Sequence, residues 1–461
     1  MAHSNSAPAQ ADAPPVTRIL AEYVAGHPSA GWPDAIDVMA HRTLLNWVGC
    51  AIGASHHPTV DAALAAVLEL ALGAQATLFG RDERVDMAHA ALVNGISSHV
   101  FDFDDTHLAT IIHPAGPVAS AALALAEHHD LDGRKLIDAL VLGIEVECRI
   151  GNAIYPDHYD RGWHITGSTG MFGAAAACAR LLELDADRTQ MALGIAASHP
   201  TGVREQFGSM TKSLHVGSAA HAGLMAALLA RQGYTASTRA LEAPRGLLQT
   251  YSTKCDWNEI TEGLGQRFEI ALNSFKPYAC GVVIHPAIDG CVRLSNAHGL
   301  RAEDVERIDL RVHPLVLELT GKKSPRIGLE GKFSVYHACA AAIVFRRAAV
   351  VEFSDAVVAR PDIVALRDRV HARIDERIAE DQCDVTIACR DGRTLHVFVE
   401  HALGSIEHPM SETDLVGKFH ALVDPVLGAQ RGNELVIACL TVGNAKGVRR
   451  LAQLATASAG T

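Results

Sequence analysis

Arg307-Ile-Asp-Leu-Arg-Val-His313 alternates polar and apolar side chains, the period-two pattern of a half-buried strand. Two further runs, Asp384–Ala388 and Thr394–Val399, flank Asp391-Gly392, a dipeptide that tolerates positive φ and so favours a tight hairpin. A sheet is therefore predicted late in the chain, with helices Phe333–Arg346 and Asp362–Arg373 between its strands. From about Val16 to Gly263 the text is different. Ala- and Leu-rich segments of helical length, such as Phe172–Leu182, Asp185–Ser198 and Ala219–Gly233, alternate with Gly, Pro and Ser. After the sheet, Ser411–Leu422 and Asn444–Ala455 return to helix. The fold class predicted is mainly α with an inserted α+β domain. Residues 1–15 form an Ala/Ser/Pro-rich leader expected to be disordered. Residues 16–266 form the first part of a helical domain, 267–402 the α+β unit, and 403–461 the helical return. A cleft between two such domains is the default place for a ligand.

The chain has 461 residues, 49% hydrophobic and 20% charged, which excludes a disordered, collagen-like or coiled-coil protein. Net charge is −12 and there is no block of five Lys/Arg, so neither nucleic acid nor an anionic membrane is an expected partner. Apolar stretches such as Val118–Ala126 break at His128, His129 and Asp130, so no membrane-spanning helix is expected. The leader lacks the apolar core of a signal peptide, and a cytoplasmic location is expected. Ten cysteines without a Cys-x-x-Cys pair fit reduced, buried thiols better than a disulfide or zinc framework.

The densest polar cluster is His99-Val-Phe-Asp102-Phe-Asp104-Asp105-Thr106-His107, followed by His113-Pro114. It admits a metal site, a general acid/base group, or a loop whose carboxylates cap helices. The spacing matches neither His-Glu-x-x-His nor an EF-hand loop. Four helix starts carry His or Lys: His113-Pro114, Gly162-Trp-His164, Met210-Thr-Lys212-Ser-Leu-His215 and His285-Pro286. A helix N-terminus has unpaired N–H groups, so with Lys or His added it attracts anions, and several in one cleft would suit a substrate with two or three carboxylates. Lys276 lies between apolar neighbours, where a lysine is usually paired or functional. No Gly-x-Gly-x-x-Gly, P-loop or Gly-x-Ser-x-Gly motif is present, which argues against nucleotide cofactors and a Ser hydrolase.

These motifs, with Lys276-Pro-Tyr-Ala-Cys280…His285-Pro and Lys332-Phe-Ser in the same order, resemble the MmgE/PrpD family from about residue 16 to 455. The resemblance implies a large helical domain, a smaller α+β lid domain and a homodimer. It also implies enzymes that use neither metal nor cofactor and act on compact polycarboxylates, among them 2-methylcitrate dehydratase, cis-aconitate decarboxylase and iminodisuccinate epimerase. The positions matching the family's pocket are Asp102, Thr106, His113, His164, Lys212, Lys276 and Tyr336. Two departures stand out. The histidine that decarboxylases place five residues after the second lysine is Gly281 here. Asp104 and His107 stand where dehydratases have Asn and Trp.

The function expected is a hydro-lyase of the 2-methylcitrate dehydratase type that abstracts a proton next to a carboxylate. Epimerisation, decarboxylation and non-catalytic carboxylate binding follow in that order. His113 or His164 would move the proton, Asp102 would orient the imidazole and Tyr336 would serve as an acid. Lys212, Lys276 and Thr106 would bind the substrate.

Overall fold

A computed structural model of the chain describes residues 13–28, 31–70 and 73–457. Most of the expected leader, residues 1–12, lies outside the described residues. Helices dominate up to residue 261. Thr211–Arg231 is the centre of this part and packs against Ile165–Leu181, Met87–Val100 and Ala115–His129. Its crossing with Met87–Val100 is close because Gly95 and Gly217 face each other, and a Cβ on Gly217 would lie 2.3 Å from the Leu92 carbonyl. By length and hydropathy Thr211–Arg231 matches a membrane span, contrary to the expectation that no helix would; 67% of that window is buried inside the protein. It also carries Lys212 and His215 among its buried residues.

Two of the expected helix starts run on directly into their helices. Ser168 and Thr169 donate their hydroxyls to the Ile165 carbonyl at 3.2 and 2.8 Å, so the Ser/Thr-rich stretch sits inside a helix that begins at Ile165. The helix with Lys212 likewise begins at Thr211, well before Ala219.

The late sheet has four strands in the order Val370–Ile374, Val305–Val312, Cys383–Cys389, Thr394–Val399. The last two form the expected hairpin. Asp362–Arg373 is not one helix. The helix Pro361–Arg367 stops, and Val370–Ile374 runs parallel to Val305–Val312, which takes up its backbone hydrogen-bonding groups. Helices His285–His298 and Val335–Phe345 pack against the sheet and each other. Two-residue pairings also occur in the helical half, notably Thr106–His107 with Asn273–Ser274. In the return, Ala429–Leu440 is a helix that sequence reading omitted.

One apolar cluster runs from Val16 to Phe275 and resumes from Met410 to Ala455; a second takes most of Tyr278–Leu395. All ten cysteines are unpaired, and nine are buried.

Candidate active site

The Met87–Val100 helix ends at Phe101, and the next residue, Asp102, adopts φ +50°, the left-handed region that a non-glycine residue rarely occupies. Three lysines from distant parts of the chain hold this turn. Lys332 donates to the Phe101 and Ala279 carbonyls at 2.7 and 2.8 Å. Lys276 donates to those of Asp102 and Cys280, both at 3.2 Å. Lys418 donates to those of Phe103 and Lys276 at 2.6 and 3.0 Å, and to Asn46 Oδ1 at 2.8 Å. Each ammonium thus joins one carbonyl of residues 101–103 to one of residues 276–280. Aromatic faces cover two of them, Phe353 at 5.0 Å from Lys332 and Phe103 at 3.9 Å from Lys418, which offsets part of the cost of burying charge.

Asp102 Oδ1 accepts from Lys276 Nζ at 2.8 Å and from Lys212 Nζ at 3.3 Å. Burial alone would raise the pKa of Asp102, but Lys212 and Lys276 outweigh it and hold the carboxyl well below its ordinary value. Lys212 also donates to His99 Nε2 at 2.7 Å, and His99 Nδ1 lies 2.7 Å from Asp104 Oδ2. Because the ammonium has no acceptor, His99 must accept at Nε2 and donate from Nδ1, giving an Asp104–His99–Lys212 chain. Burial lowers the pKa of both His99 and Lys212.

His113 closes the group. Its Nδ1 lies 2.8 Å from the Asp105 carbonyl, which can only accept, so the neutral ring keeps its proton there and presents a lone pair at Nε2. That nitrogen is 3.8 Å from Asp102 Oδ1. Burial holds His113 well below its ordinary pKa, so the imidazole is a free base at neutral pH. Thr166 Oγ1 fixes the His113 backbone by accepting its N–H at 3.1 Å. Asp105, pushed up to about 7 by burial, accepts from Asn273 at 2.6 Å and from the N–H of Ala115, the first residue of the next helix, at 3.2 Å.

Asp102, His113, His164, Lys212 and Lys276 line one cavity. Its free space is about 30 Å³, room for two or three waters, so a larger ligand needs the wall to move. His164 pairs with His215 through their Nδ1 atoms at 3.0 Å and is neutral, its pKa lowered by burial and then by Lys212. Thr106 is fully buried behind His113, its hydroxyl 3.3 Å from Nδ1, and is not on the cavity wall. Neither is Tyr336, which lies in the second apolar cluster with Lys323 Nζ 6.0 Å from its ring. Of the other helix starts, His285 lines a neighbouring chamber. His107 turns away to Glu269 at 3.0 Å.

His99, Asp102, Asp104 and His113 offer ligand atoms within 4.8 Å of one another, the geometry of a possible metal site. Here Lys212 and Lys276 already supply two positive charges against Asp102, where a dication would sit. Sequence reading quoted Lys332-Phe-Ser as a motif without giving it a role in the site, and left out Lys418 and Phe207; the rings of Phe207 and Phe333 lie 5.2 and 5.7 Å from Lys212 Nζ. Lys418 did leave a trace. It falls on the same helical face as Leu415, Phe419 and Leu422, a stripe otherwise apolar and buried.

Burial pushes Lys332 and Lys418 down to about 8. The site loses positive charge as pH rises through that value, so turnover is expected to fall above it. Stability moves the other way. Unfolded lysines keep their protons to about 10.5, so between about 8 and 10.5 the unfolded state binds more protons, and the contribution of these two groups to stability rises with pH. Rate and thermal unfolding measured across pH 7 to 10 check this; an equal fall in rate over that range in a variant lacking both lysines would contradict it.

The MmgE/PrpD N-terminal domain matches residues 18–260 and the MmgE/PrpD C-terminal domain residues 278–441. The chain is 25% identical over 467 residues to a cis-aconitate decarboxylase-like protein, oryM, of Aspergillus oryzae, covering 95% of this chain and 97% of that one. It is 26% identical over 435 residues to a cis-aconitate decarboxylase of Aspergillus terreus, covering 87% and 88%. A 2-methylcitrate dehydratase of Cupriavidus necator is 23% identical over 408 residues, covering 79% and 81%.

Proposed function

Because this chain belongs to the MmgE/PrpD family, we propose that it is a lyase that moves a proton at a carbon next to a carboxylate of a small di- or tricarboxylate. The observation that carries this reading is the pair of ammoniums, Lys212 and Lys276, on one buried carboxylate beside the free Nε2 of His113. Four lysines against Asp102, Asp104 and a partly ionised Asp105 leave an excess of positive charge in a buried site whose histidines are neutral. Such an excess favours a multiply charged anion.

In this reading the substrate's carboxylate joins Asp102 at Lys212 and Lys276. His113 Nε2 takes the proton from the neighbouring carbon, and the ammoniums stabilise the charge that spreads onto the carboxylate. For elimination of water, the departing hydroxyl needs a proton. Lys212, linked through His99 to Asp104, stands on the cavity wall to give it, whereas Tyr336 does not. Dehydration of a 2-methylcitrate-like substrate is therefore the first reading.

Decarboxylation is the second, favoured by the near full-length similarity to proteins named cis-aconitate decarboxylase. There the ammoniums hold the retained carboxylate while carbon dioxide leaves another carbon, and that carbon takes up a proton. Gly281 on the cavity wall, in place of the histidine expected of decarboxylases, weighs against it.

The test is proton NMR of the protein in D₂O with 2-methylcitrate, citrate, cis-aconitate and iminodisuccinate in turn. A new alkene without carbon dioxide supports dehydration, and carbon dioxide release supports the second reading. Deuterium exchange alone points to epimerisation. Silence on all four sinks the lyase reading. His113→Gln is expected to slow the active reaction by about 10²- to 10⁴-fold.

A further inference from the structure

Beside the inner cavity lies a larger chamber of about 320 Å³, and Ile111, Val282 and Val283 line both. Ile111 has φ +60°, a strained conformation for a β-branched residue, so the shared wall includes a high-energy turn. Deeper in the chamber are Leu108, Pro286, Ala402 and Leu403, while Glu380, Asp381 and Glu407 are exposed at its rim. No lysine or arginine lines it. His285 borders the chamber with only 3% exposure, and its Nε2 has no hydrogen-bond partner among the described residues. Burial, then Lys276, pushes His285 down to about 3, so it is neutral there.

A carboxylate in this chamber would meet three acids, two of them paired with His401, and no lysine or arginine among the described residues. Hydrocarbon there would displace water from apolar walls. We propose that the substrate carries an uncharged alkyl chain on its polycarboxylate head, and that the outer chamber binds this chain while the head sits at Lys212 and Lys276. This rests on the carboxylate reading of the inner site. The chain leaves the inner cavity at the wall of Ile111, Val282 and Val283, the same wall that has to yield for any head larger than a few waters. The unpartnered Nε2 of His285 is left for a polar atom on the chain, such as a hydroxyl.

The experiment is titration calorimetry of the whole protein with succinate, butylsuccinate and octylsuccinate. Affinity is expected to rise about three- to fourfold for each methylene that enters the chamber, the ratio set by burying one methylene. Leu403→Asp should cancel the gain for octylsuccinate and leave succinate binding as in the parent. Ser405→Trp, which fills the chamber without adding charge, should do the same if the first variant does not fold. Affinity that stays flat or falls with chain length, or an octylsuccinate gain that survives in a folded variant, overturns the proposal. Failure of succinate itself to bind overturns the carboxylate reading instead.

Discussion

Lys276→Met is expected to lower kcat/KM by at least about 10²- to 10³-fold on whichever carboxylate substrate the protein turns over, the loss typical of removing one group that stabilises developing negative charge. The same substitution is expected to destabilise the fold by about 3 to 5 kcal/mol, because it leaves the Asp102 carboxylate buried with one cation and strips a donor from two backbone carbonyls. The double variant Lys276→Met, Asp102→Asn separates the two losses. With no buried carboxylate left short of a cation it should regain part of the stability, since Lys212 then keeps only His99 as a partner, yet it should stay inactive. Thermal unfolding beside steady-state kinetics reads both quantities. A Lys276→Met enzyme with full turnover would remove this lysine from the mechanism.

Lys418→Met should also cost about 10²-fold in kcat, although Lys418 is absent from the cavity wall. Its ammonium fixes the carbonyl of Phe103 next to Asp102 and the carbonyl of Lys276 itself, and a displacement of about 1 Å at reacting groups is enough for that loss. Since Lys418 acts through Asp102, its effect should shrink sharply in an Asp102→Asn background, a departure from additivity that general loss of packing would not produce. Equal fold-losses in both backgrounds would show that it serves stability alone.

The fold was legible where a local signal matches a tertiary outcome. Ala-rich helices and the Asp391-Gly392 hairpin are of this kind, since their patterns concern neighbours in sequence. Val370–Ile374 was not, because its only sheet partner among the described residues is Val305–Val312 and no Gly or Pro marks its separation from the helix before it. In the site, Asp102, His113, His164, Lys212 and Lys276 stood out as reactive types in short motifs, and the structure brings all five to one cavity. Thr106 lies one layer behind, touching His113. Tyr336 carries the same motif-level signal but belongs to the second apolar cluster, off the cavity wall. Spacing along the chain does not encode which way a helical side chain faces once two units pack.

The carbonyl-to-carbonyl bridging by Lys276, Lys332 and Lys418 also bears on synthesis. Residues 101–103 leave the ribosome long before the last of these three lysines, which lies at position 418 of 461. Until Lys418 emerges, the carbonyls of Phe103 and Lys276 lack the ammonium that joins them. Assembly of that frame is thereby tied to the helical return that carries Lys418.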